Sequence, residues 1–272
     1  MSIPGPNDYL ARLPPSQLLP TMTFYGSRNA PNPRRVEIFF AEHKMYEGKQ
    51  YKYVDINLQK QEHKKGGRYE TPNHKVPMLI IENDPDPEDG EEGVLAESVA
   101  ICRYIEERDK LTGICLFGRT PLERATIEMW TRRIDFELLH SGVGPAWING
   151  TVLAPMRKLR RMKDHPDLLQ QGIKTIHSFY KELNGKLSQP GYGNYVAGGN
   201  AFTIADITLL CVLDFAAGPV FVRPKWNQLK HLKAWHVRVS QRDSVRIHFN
   251  PYLGKNGVQT YENDTTKTKS KM

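Results

Sequence analysis

Apolar residues in the first part of the chain alternate with a period of two and then recur with a helical period. The segments TMTFYG (21–26) and YKYVDINL (51–58) predict two strands. Between them an apolar stripe predicts a helix that packs on a sheet; its members are Val36, Phe39, Phe40 and His43. This order predicts a β-α-β unit with parallel strands and a right-handed crossover.

Two more apolar segments follow, HKVPMLII (74–81) and GVLAES (93–98), and both predict strands. ESVAICRYIEERD then predicts a helix. The acidic, proline-rich residues 82–93 between these strands predict a loop longer than a hairpin needs. The order is β-α-β, a polar connection, then β-β-α. We therefore expect a thioredoxin-like domain of the form β-α-β-α-β-β-α over residues 21–110.

From residue 119 onward the pattern becomes helical, which predicts an all-helical domain over residues 119–249. Thr120 and Glu123 have the spacing of a capping box, and Thr203 with Asp206 is a variant of it. The segment SGVGPAWING (141–150) holds three glycines and a proline, so we expect the first long helix to bend or break there. A further helix is expected over about 167–188, and the run after Asp206 is apolar nearly all round, as a helix at the centre of a bundle would be.

The two ends of the chain differ from the rest. Residues 1–20 are rich in proline and predict an extension outside the fold, and the polar residues 250–272 predict a disordered tail. No apolar run approaches the roughly 20 residues of a membrane-spanning helix, so we expect no membrane association. Neither a signal peptide nor a metal site is predicted.

The composition narrows the class of protein. The 272 residues carry a net charge of +8, but the basic residues are dispersed and form no recognised nucleic-acid motif, so no nucleic-acid partner is expected. The three cysteines are too widely spaced for a disulfide framework or a metal pair. Reduced thiols in a cytoplasmic protein are the simplest interpretation.

Two dipeptides lie where a ligand could bind. Val76-Pro77 begins an apolar strand, and a cis bond there would leave the backbone of Val76 free to pair with a ligand; the alternative is an edge-strand proline. Glu97-Ser98 lies where a strand meets a helix. Ser98 as N-cap could bind a carboxylate and Glu97 an ammonium, or Ser98 could be only a helix cap.

Together these features suit a zwitterionic peptide. A second anion site could use basic side chains nearby in the sequence, namely Lys75, His63 and Lys64.

Five segments resemble cytosolic glutathione transferases: FYGSRNAPNPRRVEIFFAEHK, HKVPMLI, ESVAICRYIEE, TPLERATIEMWTRRIDFELL and YVAGGNAFTIADITLLCVLDFA. The match runs in order over about residues 22–245. The resemblance implies a thioredoxin-like domain, a helical domain and a homodimer. It also implies that Pro77 is cis and that glutathione, as a substrate, binds at Val76-Pro77 and Glu97-Ser98.

The first turn departs from most of that family. Where most members place Ser, Tyr or Cys to hydrogen-bond the glutathione thiolate, this chain has Ala30. It resembles an atypical fungal and bacterial branch that also lacks the side chain. We expect the helix N-terminus to stabilise the thiolate with a donor from Asn29 or from the backbone near Ala30, with Ser27 close by. Asn29 could also merely shape the turn.

The second-substrate pocket is expected between this turn and the long helices. Its predicted walls are Met129, Trp130, Arg133, His140, Trp147 and Phe215, although most residues of these types belong to the core. His140 and Ser141 are candidates to hold a water near the thiolate.

The sequence therefore predicts a glutathione transferase that conjugates or reduces small apolar electrophiles in detoxification. The alternative is a non-catalytic binding or regulatory module built on the same fold, which Ala30 would favour. A thiol-disulfide oxidoreductase is a third reading, but the first turn has no cysteine.

Overall fold

A computed structural model of the chain describes residues 21–28, 30–82, 92–109 and 112–247. The extension 1–20, the tail 250–272, Asn29 and nearly all of the acidic segment 82–93 lie outside these ranges. The expectations for them are therefore not addressed by the structure.

The sheet has four strands: β1 (Thr21–Gly26), β2 (Tyr51–Asp55), β3 (Met78–Glu82) and β4 (Gly93–Ala96). They lie in the order β2-β1-β3-β4; β1 is parallel to β2, whereas β3 is antiparallel to both β1 and β4. Two helices accompany the sheet, α1 (Pro31–Glu42) and α2 (Ser98–Arg108). The predicted β-α-β unit and the thioredoxin-like fold are confirmed.

The expected order has a second helix between β2 and β3. In the structure, this connection consists of turns. Residues 56–77 are held by local hydrogen bonds, such as those from Gly67 N–H to the Lys64 carbonyl and from Tyr69 N–H to the Glu62 carbonyl. Gly66 has φ of +76°, a conformation that ends a helical run. The strands that flank this connection are correspondingly shorter than predicted.

The rest of the chain is helical. Its elements are α3 (Pro121–Arg133), a π-helix (Ile134–Val143), α4 (Gly144–Asn149), α5 (Ala154–Leu159), α6 (Pro166–Leu187), α7 (Ile204–Ala217), α8 (Lys230–Ser240) and α9 (Asp243–Ile247). The predicted capping box is present, since Glu123 N–H donates to Thr120 Oγ1 and Thr120 N–H donates to the Glu123 carboxylate. Within the described ranges, no helix has the length and apolarity to cross a bilayer.

The first long helix was expected to bend or break near residues 141–150. Instead it continues as a π-helix, which has wider turns than an α-helix. It passes from α3 into the π-helix, whose wider turns leave carbonyls for side chains: His140 Nδ1 lies 2.6 Å from the Asp135 carbonyl, and Ser141 donates to that of Phe136. The glycines in this region allow close packing between helices and do not produce a bend. A Cβ on Gly172 of α6 would lie 2.6 Å from the Gly142 carbonyl, so the two helices cross almost backbone to backbone.

A buried carboxylate fastens the start of α7. Asp206 is fully buried and accepts hydrogen bonds from Val196 N–H, Thr203 N–H and Trp235 Nε1. Burial raises the pKa of Asp206 to about 6 even though these donors oppose the shift. The predicted role of Thr203 and Asp206 at the start of the helix is confirmed, and Trp235 adds a contact to α8.

The two parts of the fold meet through buried charges. Arg34 in the first turn of α1 donates to Asp214 of α7 at 2.8 Å, and Asp214 also lies 2.9 Å from His236 Nε2 on α8. The side chains of all three are at most 3% exposed. A charge so deeply buried is tolerated only when it is paired, so this contact fixes how α1 sits on the helical bundle.

The connecting segment is held from both sides. The Glu106 carboxylate of α2 accepts the N–H groups of Leu116 and Phe117, while the Leu116 carbonyl accepts Ile204 N–H from the start of α7. The sheet domain and the helical domain are thereby joined by hydrogen bonds as well as by packing.

One buried carboxylate in α1, that of Glu37, has its charged form disfavoured by burial. Glu37 is 4% exposed, and burial raises its pKa from 4.5 to about 7, with Arg28 opposing the shift and Glu47 adding to it. In the unfolded chain Glu37 ionises near its ordinary pKa, whereas the folded protein holds the proton up to about pH 7. Ionisation of Glu37 therefore disfavours the folded state.

We predict that Glu37→Gln is more stable than the wild type above pH 7 by up to about 3 kcal/mol, and equally stable below about pH 4.5. The difference grows between these limits, because over that range only the unfolded wild-type chain ionises. Urea unfolding at about pH 4.5, 6 and 8 measures it. Glu47→Gln, at a half-exposed carboxylate, serves as control and is expected to change the stability by less than about 1 kcal/mol at every pH. A constant difference for Glu37→Gln would contradict the raised pKa.

Candidate active site

The first turn of α1 offers few backbone donors. Ala30 is the N-cap residue, and its N–H is already bonded to the Ser27 carbonyl at 2.9 Å. Pro31 and Pro33 have no N–H. Arg34 N–H donates back to the Ala30 carbonyl at 3.4 Å. Of the usual unsatisfied donors at a helix start, Asn32 N–H is the one that no acceptor in the described part of the chain occupies.

This finding changes which group we expect to donate a hydrogen bond to the thiolate. The backbone N–H of Ala30 was one of the predicted groups, and the structure commits it to Ser27, whose own side chain is mostly buried. Asn29, the other predicted donor, is outside the described residues. Sequence reasoning missed Asn32, although the alternation P-N-P in residues 31–33 marks it as the residue that keeps an N–H. The first turn has no acidic residue, so the positive end of the helix dipole is not neutralised from within the helix.

The predicted peptide-binding edge has a defined geometry. The bond between Val76 and Pro77 is cis, as the resemblance implied. Among the described residues, none hydrogen-bonds to the N–H or carbonyl of Val76. Pro77 is buried, and Met78 begins β3 directly after it.

Two polar residues that the sequence did not single out organise this edge. Thr71, which is buried, donates to the Lys75 carbonyl at 2.7 Å and has its own N–H on the His63 carbonyl, so it joins two of the predicted anion-site residues. Asn73 accepts from Lys75 N–H and donates to Glu97 Oε1 at 3.4 Å. Lys64 follows His63 on the exposed side. Burial lowers the pKa of His63, with Lys64 and His74 contributing to the shift.

Glu97, not Ser98, is the N-cap of α2. Its φ of +71° lies in a region that side chains with a Cβ avoid, and such conformations concentrate at ligand sites. Ser98 is the first helical residue and is nearly fully buried. The carboxylate of Glu97 stays exposed, where an ammonium group can reach it.

A buried arginine joins Ser98 to the helical domain. Arg35 of α1 is 2% exposed; its Nη1 donates to Ser98 Oγ at 3.1 Å and its Nη2 to Asp135 Oδ1 at 2.8 Å. Sequence reasoning missed both Arg35 and Asp135, because they lie far from Ser98 along the chain. The guanidinium gives this end of the site a positive charge that suits a carboxylate.

Of the predicted walls of the second-substrate pocket, Trp147 and Phe215 contact each other on the helical domain. Trp147 packs edge-on against Phe215, with ring centroids 5.2 Å apart, and Phe215 follows the Asp214 that binds α1. Trp130 is buried, and Arg133 lies over its ring while pairing with Glu137 and Glu182. Met129 is exposed on the outside of α3, and His140 borders a separate cavity.

The cysteines do not supply a nucleophile. Cys102, Cys115 and Cys211 are all free thiols, and burial raises the pKa of each, to about 11 for Cys211. Across the part of the chain that the structure describes, no cluster of His, Cys, Asp or Glu could hold a metal ion. Any thiolate chemistry at this site must use a thiol from the ligand.

Comparison with known proteins identifies the family. The family model for the glutathione S-transferase N-terminal domain matches residues 20–107, and the model for the C-terminal domain matches residues 166–238. Glutathione S-transferase 2 of Saccharomyces cerevisiae is 34% identical over 226 residues, which is 83% of this chain and 88% of the yeast protein. The chain belongs to the glutathione transferase family.

Solved structures agree with this assignment. The crystal structure of Gtt2 from Saccharomyces cerevisiae superposes with a TM-score of 0.68 at 30% identity, covering 84% of this chain and 100% of that one. A Gtt2-class glutathione S-transferase of Vibrio parahaemolyticus gives a TM-score of 0.61 at 26% identity, covering 82% and 95% of the two chains. In this glutathione transferase, the cis bond between Val76 and Pro77 agrees with the resemblance, and the contacts of Val76, Glu97 and Ser98 with glutathione stay predictions.

We predict that Asp135→Ala weakens glutathione binding about tenfold and lowers the free energy of unfolding by about 3 kcal/mol, because it leaves the Arg35 guanidinium buried without its carboxylate. Calorimetric titration with glutathione and urea unfolding measure the two effects. Glu128→Ala is the matched control; it removes two partly exposed ion pairs, with Arg132 and with Arg103, and is expected to change either quantity much less than Asp135→Ala does. Unchanged binding by Asp135→Ala would separate Arg35 from the glutathione site.

Proposed function

We propose that the protein binds glutathione at the edge of its sheet, stabilises its thiolate at the start of α1 and transfers it to a small apolar electrophile. The observation that supports the proposal most is the pairing of Met78 with Ala96, which brings the cis bond at Pro77 beside Glu97, while Arg35 of α1 donates to Ser98. The chain that holds this arrangement belongs to the family. Conjugation and reduction both begin with the thiolate, and either reaction would serve detoxification.

The binding step follows from the arrangement of charges. The backbone of Val76 pairs with the main chain of the tripeptide, and Glu97 receives its ammonium group. Ser98 and the buried Arg35 receive the neighbouring carboxylate, which a guanidinium and a helix N-terminus both favour. The second carboxylate of glutathione binds in the basic segment that contains His63, Lys64 and Lys75.

The thiolate is stabilised without a serine. A depression of the thiol pKa by two units needs about 2.7 kcal/mol. The N-terminus of α1 contributes up to about 2 kcal/mol. One hydrogen bond to the thiolate adds about 1.5–3 kcal/mol. Asn32 N–H is the donor we propose, in place of Ala30, and Asn29 can add a second one.

The electrophile binds next to Trp147 and Phe215. These rings form an apolar surface on the helical domain, and the Arg34–Asp214 pair ties that surface to the first turn of α1. Met129 is exposed on the outside of α3, and Trp130 packs under Arg133, so these three residues are not part of the proposed pocket.

The active form is a homodimer. Three exposed apolar side chains recur at every seventh position on the outside of α3 and the π-helix, namely Leu122, Met129 and Phe136. Val94 is similarly exposed on the edge strand β4. Apolar patches of this kind on a soluble protein mark interaction surfaces, and dimerisation is usual in the family. We place the protein in the cytoplasm, where its three free cysteines stay reduced.

We predict that Asn32→Pro raises the pKa of bound glutathione by about one to two units and slows turnover, because it removes the backbone donor. Asn32→Ala is the matched control: it removes the same side chain and keeps the N–H, so its thiol pKa should remain near that of the wild type. Ultraviolet titration of the bound thiolate measures the pKa. Thermal unfolding confirms that both variants are folded, since proline is tolerated in the first turn of a helix.

Equal pKa values for the two Asn32 variants would exclude the backbone N–H as the donor, and Asn29→Ala would then test the other one. A wild-type protein that binds glutathione with an unshifted pKa and turns over no electrophile would overturn the catalytic proposal in favour of a binding module. Turnover in disulfide exchange alone would favour the oxidoreductase reading.

We predict that the double variant Met129→Glu, Phe136→Glu is monomeric, because it places carboxylates within the proposed apolar interface. Light scattering after gel filtration measures the mass. Leu159→Glu, at an exposed leucine elsewhere on the helical domain, should leave the dimer intact. A wild-type monomer, or a dimeric double variant, would contradict this interface.

A further inference from the structure

His43 caps the end of α1 and is almost completely buried, with 2% of its surface exposed. Its Nδ1 lies 2.6 Å from Asp109 Oδ2, and its Nε2 lies 3.7 Å from Glu106 Oε2. The ring also stacks on Phe39, with centroids 4.6 Å apart. The sequence pattern presents His43 as one member of an apolar stripe, whereas the structure encloses it between two carboxylates at the end of α2.

Both carboxylates also hold the segment that leads from the sheet domain into the helical domain. We call residues 112–117 of this segment the strap. Asp109 accepts the N–H and the hydroxyl of the first strap residue. Glu106 accepts the N–H groups of the last two, Leu116 and Phe117. The imidazole therefore lies between the two acceptors that fix the two ends of the strap.

The two contacts of this imidazole depend differently on its proton. When His43 is protonated, both ring nitrogens carry hydrogen and each faces a carboxylate. When it is neutral, the short contact with Asp109 keeps the hydrogen on Nδ1, and Nε2 turns a lone pair toward Glu106. Nε2 has no hydrogen-bond partner among the described residues, so nothing there replaces the lost attraction.

The surroundings favour the protonated ring. Burial lowers the pKa of His43, but the hydrogen bonds and charges of Asp109 and Glu106 outweigh burial, and the pKa is raised. The folded protein thus holds this proton more tightly than the unfolded chain does. The resulting stabilisation is complete below about pH 6.5, the ordinary pKa of histidine, and is lost as the pH rises through the raised pKa.

Other ionisable groups around the imidazole keep their charge over the same pH range. The preceding residue, Glu42, is paired with Arg242 of the helical domain, and the following residue, Lys44, is exposed. The thiol of Cys115 in the strap also faces Glu106. Burial raises the pKa of this thiol, with Glu106 adding to the shift, so the thiol stays uncharged below about pH 8.5.

We propose that His43 is a proton-dependent contact between the two domains: its protonated form holds Glu106 against the strap, and its neutral form releases that carboxylate. Asp109 keeps its bonds in both forms, so only one end of the strap responds. The Leu116 carbonyl at that end accepts Ile204 N–H from the start of α7, and the contact between the domains loosens with it. This inference does not rest on the proposed catalysis.

Nuclear magnetic resonance titration of the imidazole nitrogens in the full-length protein, without glutathione, tests the first step. We expect a midpoint above about pH 6.5 and, in the neutral form, the hydrogen on Nδ1. Comparison with His43→Gln assigns the signal. A midpoint at or below the ordinary value, or a neutral ring with its hydrogen on Nε2, would overturn the proposal.

Amide hydrogen exchange, expressed as protection factors so that the intrinsic effect of pH is removed, tests the release. Between about pH 5.5 and 8.5 we expect the protection of Leu116 and Ile204 to fall about tenfold, because a charge interaction in a mostly buried site is lost. The N–H of Thr112, which Asp109 accepts, should change less than about twofold. Leu210, buried inside α7, should also keep its protection, since the change is local and not global unfolding.

Two variants remove this pH dependence by different routes. His43→Gln removes the titrating group, and Glu106→Gln removes the charge that faces Nε2, so the protection of Leu116 should not change with pH in either variant. Glu107→Gln, at the exposed carboxylate next along α2, and His231→Gln, at an exposed imidazole, are the matched controls. Both controls should retain the fall seen in the wild type.

The proposal is overturned if the protection of Leu116 does not fall in the wild type, or if Thr112 or Leu210 falls equally. It is also overturned if the fall persists in His43→Gln or Glu106→Gln, and either variant decides this point alone if the other does not fold. A fall confined to Leu116 and Ile204, and absent from the variants, supports it.

Discussion

The ion pair between Arg34 and Asp214 fixes the position of α1, and the chemistry proposed for this protein depends on that position. The pair lies in the interior, where neither charge could remain alone. It joins the first turn of α1 to the most buried helix of the bundle, with His236 on the far side of the carboxylate. Since the thiolate is expected at the same turn, the bundle determines where the sheet domain presents it.

Arg35 makes the proposed carboxylate end of the ligand site depend on the helical domain as well. Arg34 faces α7, and Arg35, one residue later, faces Ser98 and Asp135. Two successive arginines thus point into two different parts of the domain boundary, one beside the proposed sulfur position and one beside the proposed carboxylate position. The proposed glutathione site therefore depends on both domains, even though nearly all the residues expected to touch glutathione come from the first.

Local patterns predicted the fold well and the site in part. Strand alternation, helical stripes and the box at Thr120 and Glu123 are short-range signals, and each corresponds to an element of the structure. Arg35, Asp135 and Asn73 were missed because their roles depend on contacts between distant segments. The proposed donor, Asn32 N–H, was missed for a different reason. It stands out only because the two prolines have no N–H and because Ala30 N–H is bonded to the Ser27 carbonyl, which the turn geometry reveals.

The π-helix changes which side of the continuous helix from Pro121 to Asn149 faces outward. Turns closed five residues apart admit more residues than turns closed four apart, so the helical register after Val143 is rotated relative to an α-helix continued from Pro121. Leu122 and Met129 before it face outward, while Pro145 and Ile148 after it border a cavity. Deleting a residue from this segment would bring the two faces back into one register, and a sequence change of that kind could redirect the cavity without disturbing the outer stripe.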